Sequence, residues 1–172
     1  MPRRKLLLMD ANVLIDFCDA DPSVISLISE HVGQVHVPRP ILHDEVEQLG
    51  DLDWTDLAIA AVDPPLETAM QASARRRGLS FHDHVCLLLA RDNAWTCVTN
   101  DTRLRRECLA EGVEVLWGLE VVALLVEEGA LPPAEAADLG RQIRAANLKF
   151  ITVAILDRFL KRIGTSTSPR KR

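Results

Sequence analysis

Four acids in this chain stand where apolar runs give way to helical patterns: Asp10, Glu45, Asp83 and Asp101. Asp10 closes the apolar run at 6–9, and Asp101 follows the apolar stretch ending at Thr99. Glu45 and Asp83 fall within segments whose apolar spacing is helical. If they share one edge of the fold, these carboxylates repel one another in a partly buried place, and a hard divalent cation with a preference for oxygen relieves that repulsion. Magnesium or manganese is the expected partner. At a phosphodiester such a cation activates a water and stabilises the charge on the leaving oxygen. Each acid also has an ordinary structural use. Asp10 and Asp101 suit helix N-caps, Asp83 suits the acidic end of a capping box begun by Ser80, and Glu45 suits a solvated helix surface.

The elements that must position these acids follow from periodicity. The run 5–10 reads as a buried parallel strand that opens a strand–helix unit. A helix through Val13, Leu14 and Phe17 follows, then a second one with Asp21 as N-cap and Pro22 at its first position, running to Gly33. Strands are expected at 35–37, 57–62, 94–99 and 113–117. Between them the spacing predicts helices over 41–49, which would carry Glu45 and end at Gly50, over 66–77, from 80 through 89, and over 101–110. Beyond Gly118 the pattern is helical only, at 119–128, 132–146 and 152–163. Strand and helix alternate, which predicts an α/β three-layer αβα fold around a parallel sheet of four to five strands. Ligands are then expected at the carboxyl ends of the strands.

The ordered motifs are LLMDANVLID at 7–16, VPRPILHDE at 37–45, Asp83 ahead of CLLLA at 86–90, and VTNDTRLR at 98–105. Together they resemble the PIN domain, over about residues 5–117. The resemblance implies a metal-dependent endoribonuclease in which Asp10, Glu45, Asp83 and Asp101 are both catalytic and metal-holding, supported by hydrogen bonds from Asn12 and Thr99. The helical stretch 119–164 resembles the extension of bacterial and archaeal relatives, many of them toxins of VapC type that act as homodimers paired with an antitoxin. The domain expected is thus 1–164, with 165–172 a disordered basic tail. The pattern departs in one place: Thr102, not an acid, follows Asp101 directly, which bears on a second cation. A catalytically inactive protein- or RNA-binding module is the alternative. A haloacid-dehalogenase reading needs an Asp two residues after the first, where Asn12 stands. An HD-type phosphohydrolase reading of His43-Asp44 and His82-Asp83 conflicts with the strand signals.

Composition bounds the rest. The 172 residues, 48 % hydrophobic and 26 % charged, suit one globular domain without a membrane span. The apolar run after the basic start is too short for a signal peptide, so a cytoplasmic location is expected. Cys18, Cys86, Cys97 and Cys108 form no CxxC pair and read as core thiols. Net charge is −5, but from Arg144 onward eight basic residues stand against Asp157 alone, so this end carries +7 and the rest −12. Arg158, Lys161 and Arg162 share helical spacing and are the expected RNA contacts. Val121, Val122, Leu124 and Leu125 are the expected apolar face of a homodimer.

Overall fold

A computed structural model describes residues 4–46, 53–75 and 78–164. Five strands form one parallel sheet: β1 (Lys5–Met9), β2 (Gly33–Pro38), β3 (Ile59–Val62), β4 (Thr96–Val98) and β5 (Val115–Leu116). Their spatial order is β3-β2-β1-β4-β5, with Leu7 registered against Val35 on one side and Thr96 on the other. From β1 the chain winds outward in both directions. Right-handed crossovers then put helices on opposite faces of the sheet. On one side lie α1 (Ala11–Ala20), α2 (Ser23–His31), α7 (Gly118–Glu127), α8 (Pro133–Ala146) and α9 (Val153–Arg162), joined by the contacts α1–α8, α2–α7, α7–α8, α7–α9 and α8–α9. On the other lie α4 (Leu66–Ala74), α5 (Phe81–Asn93) and α6 (Thr102–Ala110). The expected α/β architecture, with a parallel sheet flanked by helices, is present.

The core forms because β1 and β4 are covered on both faces. Leu7, Leu8, Met9, Cys97 and Val98 are fully buried, as the apolar runs of a central parallel strand require. Helix α5 is apolar almost all round, with every residue from His84 to Ala90 buried, so it fills the layer between α4, α6 and strands β1 and β4. Cys86, Cys97 and Cys108 are buried free thiols. The close approach of α8 to α9 depends on Gly140: a Cβ there would stand 2.6 Å from Phe159 Cε1.

Several expectations are corrected. α3 spans Arg39–Asp44 and ends at Glu45, its C-cap. Pro40 pre-sets the helical φ in the first turn, so the helix starts and stops earlier than its apolar spacing suggests. Glu45 therefore sits past a helix end, and the expected stop at Gly50 lies outside the described residues. Asp21 accepts from the Ser23 N–H at 3.0 Å, but Pro22 holds the cap position and α2 begins at Ser23. Ala94 takes a left-handed conformation (φ 53°) to close α5, so β4 starts only at Thr96. On α7, Val121, Val122 and Leu125 are wholly buried within the chain's own core. The fourth residue of the face expected for a homodimer, Leu124, is half-buried, and α2, α8 and α9 pack against this helix. No helix among the described residues is long and apolar enough to cross a membrane. The tail from 165 lies outside the described residues.

Candidate functional site

The sheet order places the topological switch between β1 and β4, where crossovers diverge and leave a crevice at the strands' carboxyl ends. Asp10 follows β1 there, and Thr99, Asn100 and Asp101 follow β4. The Asp10 N–H donates to Val98 O at 3.1 Å, continuing the ladder one residue past the strand. Its carboxylate caps α1 by accepting from the Val13 N–H at 3.0 Å, and its other oxygen accepts the Thr99 hydroxyl. Only 3 % of Asp10 is exposed. Burial pushes its carboxyl up to about 7; the bonds from Thr99 and Val13 oppose this, and the nearby charges of Asp83 and Asp101 add to it.

Thr99 joins two of the acids. Fully buried, it donates its hydroxyl to Asp10 while the same oxygen accepts from the Asp101 N–H at 3.0 Å. Asp101 then caps α6, with one oxygen accepting from Arg103 N at 2.7 Å and Leu104 N at 3.4 Å. Asp83 is the N3 residue of α5, in a reciprocal capping box with Ser80. Capping thus accounts for one oxygen of Asp83 and one of Asp101. A carboxylate accepts at about four positions, so capping leaves both acids with free acceptor capacity. The residue types are therefore compatible with both uses at once.

Glu45 behaves differently. Its carboxylate, exposed beside the end of α3, meets His82 Nδ1, while His82 Nε2 lies 3.2 Å from Asp44. It remains in the neighbourhood, because the charges of Asp10, Asp83 and Glu45 all help to push up the Cys86 thiol, which burial raises most. Among the described residues no three His, Cys, Asp or Glu side chains are gathered as a ready cation cage. The expected convergence of four acids is thus reached in part. The charges of Asp83 and Asp101 both act on Asp10, and Glu45 is turned to His82. Asn12 makes no side-chain hydrogen bond among the described residues, whereas Thr99 makes those expected of a supporting residue.

A second buried polar network lies beside the acids without bonding to any of the four. Asp16 is buried on α1 and accepts from Asn100 Nδ2 at 3.2 Å and from Asn147 Nδ2 at 3.0 and 3.1 Å. Asn100 Oδ1 in turn accepts from the Gly118 N–H at 3.0 Å. This network ties the chain after β4 to α1, to the start of α7 and to the end of α8. Burial raises the Asp16 carboxyl, against the two amide donors. The basic residues of α9 divide. Arg158 and Arg162 line a cavity against α7, Lys161 is exposed away from it, and Arg162 is held by Glu127 through contacts of 2.8 and 3.2 Å.

Comparison of the chain with family models, with curated proteins and with solved structures finds no match.

Proposed function

We propose that this chain is a PIN-like, metal-dependent endoribonuclease that hydrolyses RNA phosphodiester bonds. The observation that carries this reading is the burial of Asp10 at the switch between β1 and β4, with the charges of Asp83 and Asp101 acting on it. A carboxylate desolvated beside two others is costly as a purely structural device, since a neutral cap would serve α1 as well. The donor set is all carboxylate, which suits magnesium or manganese. Magnesium is held by one or two carboxylates with several waters retained, so a tight protein cage is not required. Asp10, Asp83 and Asp101 would hold the cation, and Glu45 would join them on leaving His82. A bound divalent cation supplies charge neutralisation and Lewis acidity at the phosphodiester.

The residues' own tasks follow from their bonds. Thr99 fixes the rotamer of Asp10 and the backbone at Asp101, so both acids are set before substrate arrives. With its carboxyl at about 7, Asp10 holds a proton in part of the molecules near neutrality, and that proton leaves when a cation binds. A toxin's role beside an antitoxin belongs to the same proposal.

A non-catalytic binding module is the second reading. It is favoured by Glu45 being tied to His82, by Asp10 and Asp101 serving as helix caps and by Asp83 completing the capping box of α5. Incubation of the purified protein with single-stranded RNA separates the two. The nuclease reading expects cleavage with magnesium or manganese, none with chelator, and at least a hundredfold loss in Asp10→Asn and Asp101→Asn. Cleavage that persists in chelator or in both variants contradicts it.

A further inference from the structure

We infer that the cavity between the end of β5, α7 and α9 is a subsite for one unpaired nucleobase of single-stranded RNA, with its phosphate beside Arg158. The identity of the ligand rests on the ribonuclease reading; the cavity and its charges do not.

Position is the first reason. Trp117 follows β5, next to the chain that leaves β4 towards Asp101. The Thr99 N–H donates to Leu116 O at 3.0 Å, and the Gly118 N–H donates to Asn100 Oδ1 at 3.0 Å. The two neighbours of Trp117 in the chain are therefore hydrogen-bonded to Thr99 and Asn100, the residues that lead into Asp101, at the carboxyl edge of the sheet.

Chemistry is the second. The cavity, of about 110 Å³, is walled by the rings of Trp117 and Phe159 and by Leu119, with Glu120, Arg158 and Arg162 supplying polar groups. A water needs roughly 10–15 Å³ of such space, so several waters or one planar ring fit, and a base pair does not. One of the cations is already neutralised, and Glu120 keeps its charge, which acts on Arg162. Arg162 is neutralised by Glu127, and Glu120 accepts from the Trp117 N–H at 2.8 Å. Arg158 has no ion-pair partner among the described residues. Arg105 does not line the cavity but stacks on its Trp117 wall, with its guanidinium 4.3 Å from the centre of the ring. An aromatic wall with an unneutralised arginine, Arg158, at its side is the combination that stacks a base and pairs its phosphate.

The test uses binding in chelator, so that hydrolysis plays no part. A labelled hexauridine RNA is compared with an abasic ribose-phosphate hexamer carrying the same phosphates. The expected preference for the intact RNA is about tenfold, the size of one base–aromatic stack. It falls to none in Trp117→Ala and in Ile155→Trp, which fills the cavity from α9, and survives in Trp117→Phe. Arg158→Ala weakens both ligands and lowers the salt slope by about 0.7. Equal binding of the two hexamers by the unaltered protein overturns the subsite. So does a preference untouched by Ile155→Trp, or a hexaglutamate peptide that binds as tightly as the RNA with the same dependence on Trp117. Should Trp117→Ala fail to fold, Ile155→Trp and Trp117→Phe carry the decision. Cleavage with metal is scored separately. A Trp117-dependent base preference without any metal-dependent cleavage keeps the subsite and removes the ribonuclease, whereas cleavage abolished by Asp10→Asn with no base preference does the reverse.

Discussion

The hydroxyl of Thr99 donates to the buried carboxylate of Asp10 across the gap between β1 and β4, and the same oxygen receives the backbone N–H of Asp101. One side chain thus favours the ionised form of the first acid, against its burial, and fixes the backbone position of the second. Thr99→Val keeps the shape and removes both bonds. It leaves a buried acceptor and a part-buried N–H without partners, so we expect a loss of 2–4 kcal/mol, on the order of two such groups. Thr99→Ser should recover most of it. Urea denaturation of the three proteins checks this, and a Thr99→Val protein as stable as the parent would contradict it.

The raised Asp10 carboxyl makes the metal-free protein less stable as pH rises. The folded state keeps its proton up to about 7, while the unfolded chain releases it near 3.8. Between those values the folded state binds more protons, so stability is greatest below about pH 4 for this group and declines until pH passes 7. A shift of this size in a fully buried group corresponds to a cost on the order of 4 kcal/mol. Asp10→Asn removes the dependence. Denaturation in chelator at pH 5 and pH 8 should show parent and variant converging at the lower pH and the variant ahead at the higher. Parallel curves would mean that Asp10 ionises without cost.

His84 works in the opposite direction. Its ring is buried on α5, and neither nitrogen has a hydrogen-bond partner among the described residues. Burial first, then Arg75, holds the imidazole below its usual 6.5. The neutral ring is tolerated when folded and the charged one is not. This cost is absent above 6.5 and grows as pH falls through the lowered value. His84→Leu should stabilise the protein by about 1 kcal/mol at neutral pH, since an apolar side chain replaces two unpaired polar atoms, and by more at pH 5. A destabilised variant at both pH values would show that the ring is satisfied in solution.

Much of this architecture was legible in the residues. The apolar runs before Asp10 and before Thr99 are β1 and β4 because buried parallel strands need them, and Ser80 with Asp83 announces the start of α5 through capping chemistry alone. Glu45 was misplaced because the apolar spacing of Ile41, Leu42 and Val46 looks like one long helical face, while Pro40 starts the turn early and the helix ends before Glu45. The apolar character of α7 does not distinguish a free face from a buried one, since a helix enclosed by α2, α8 and α9 reads the same as one awaiting a partner. The bonds from Asn147 to Asp16 join residues 131 positions apart, and no local pattern encodes such a contact. Trp117 and Arg105 meet only because β5 and α6 are neighbours in space.

Whether Asp10, with Asp83 and Asp101, holds a divalent cation is decided by calorimetric titration of manganese into the protein at pH 6.5 and pH 8, each in two buffers of different ionisation enthalpy. A cation held there gives saturable binding with proton release that is larger at pH 6.5 than at pH 8, because Asp10 is more often protonated at the lower pH, and both signals are lost in Asp10→Asn. Binding of equal affinity in Asp10→Asn, or no saturable binding by the unaltered protein, would contradict it.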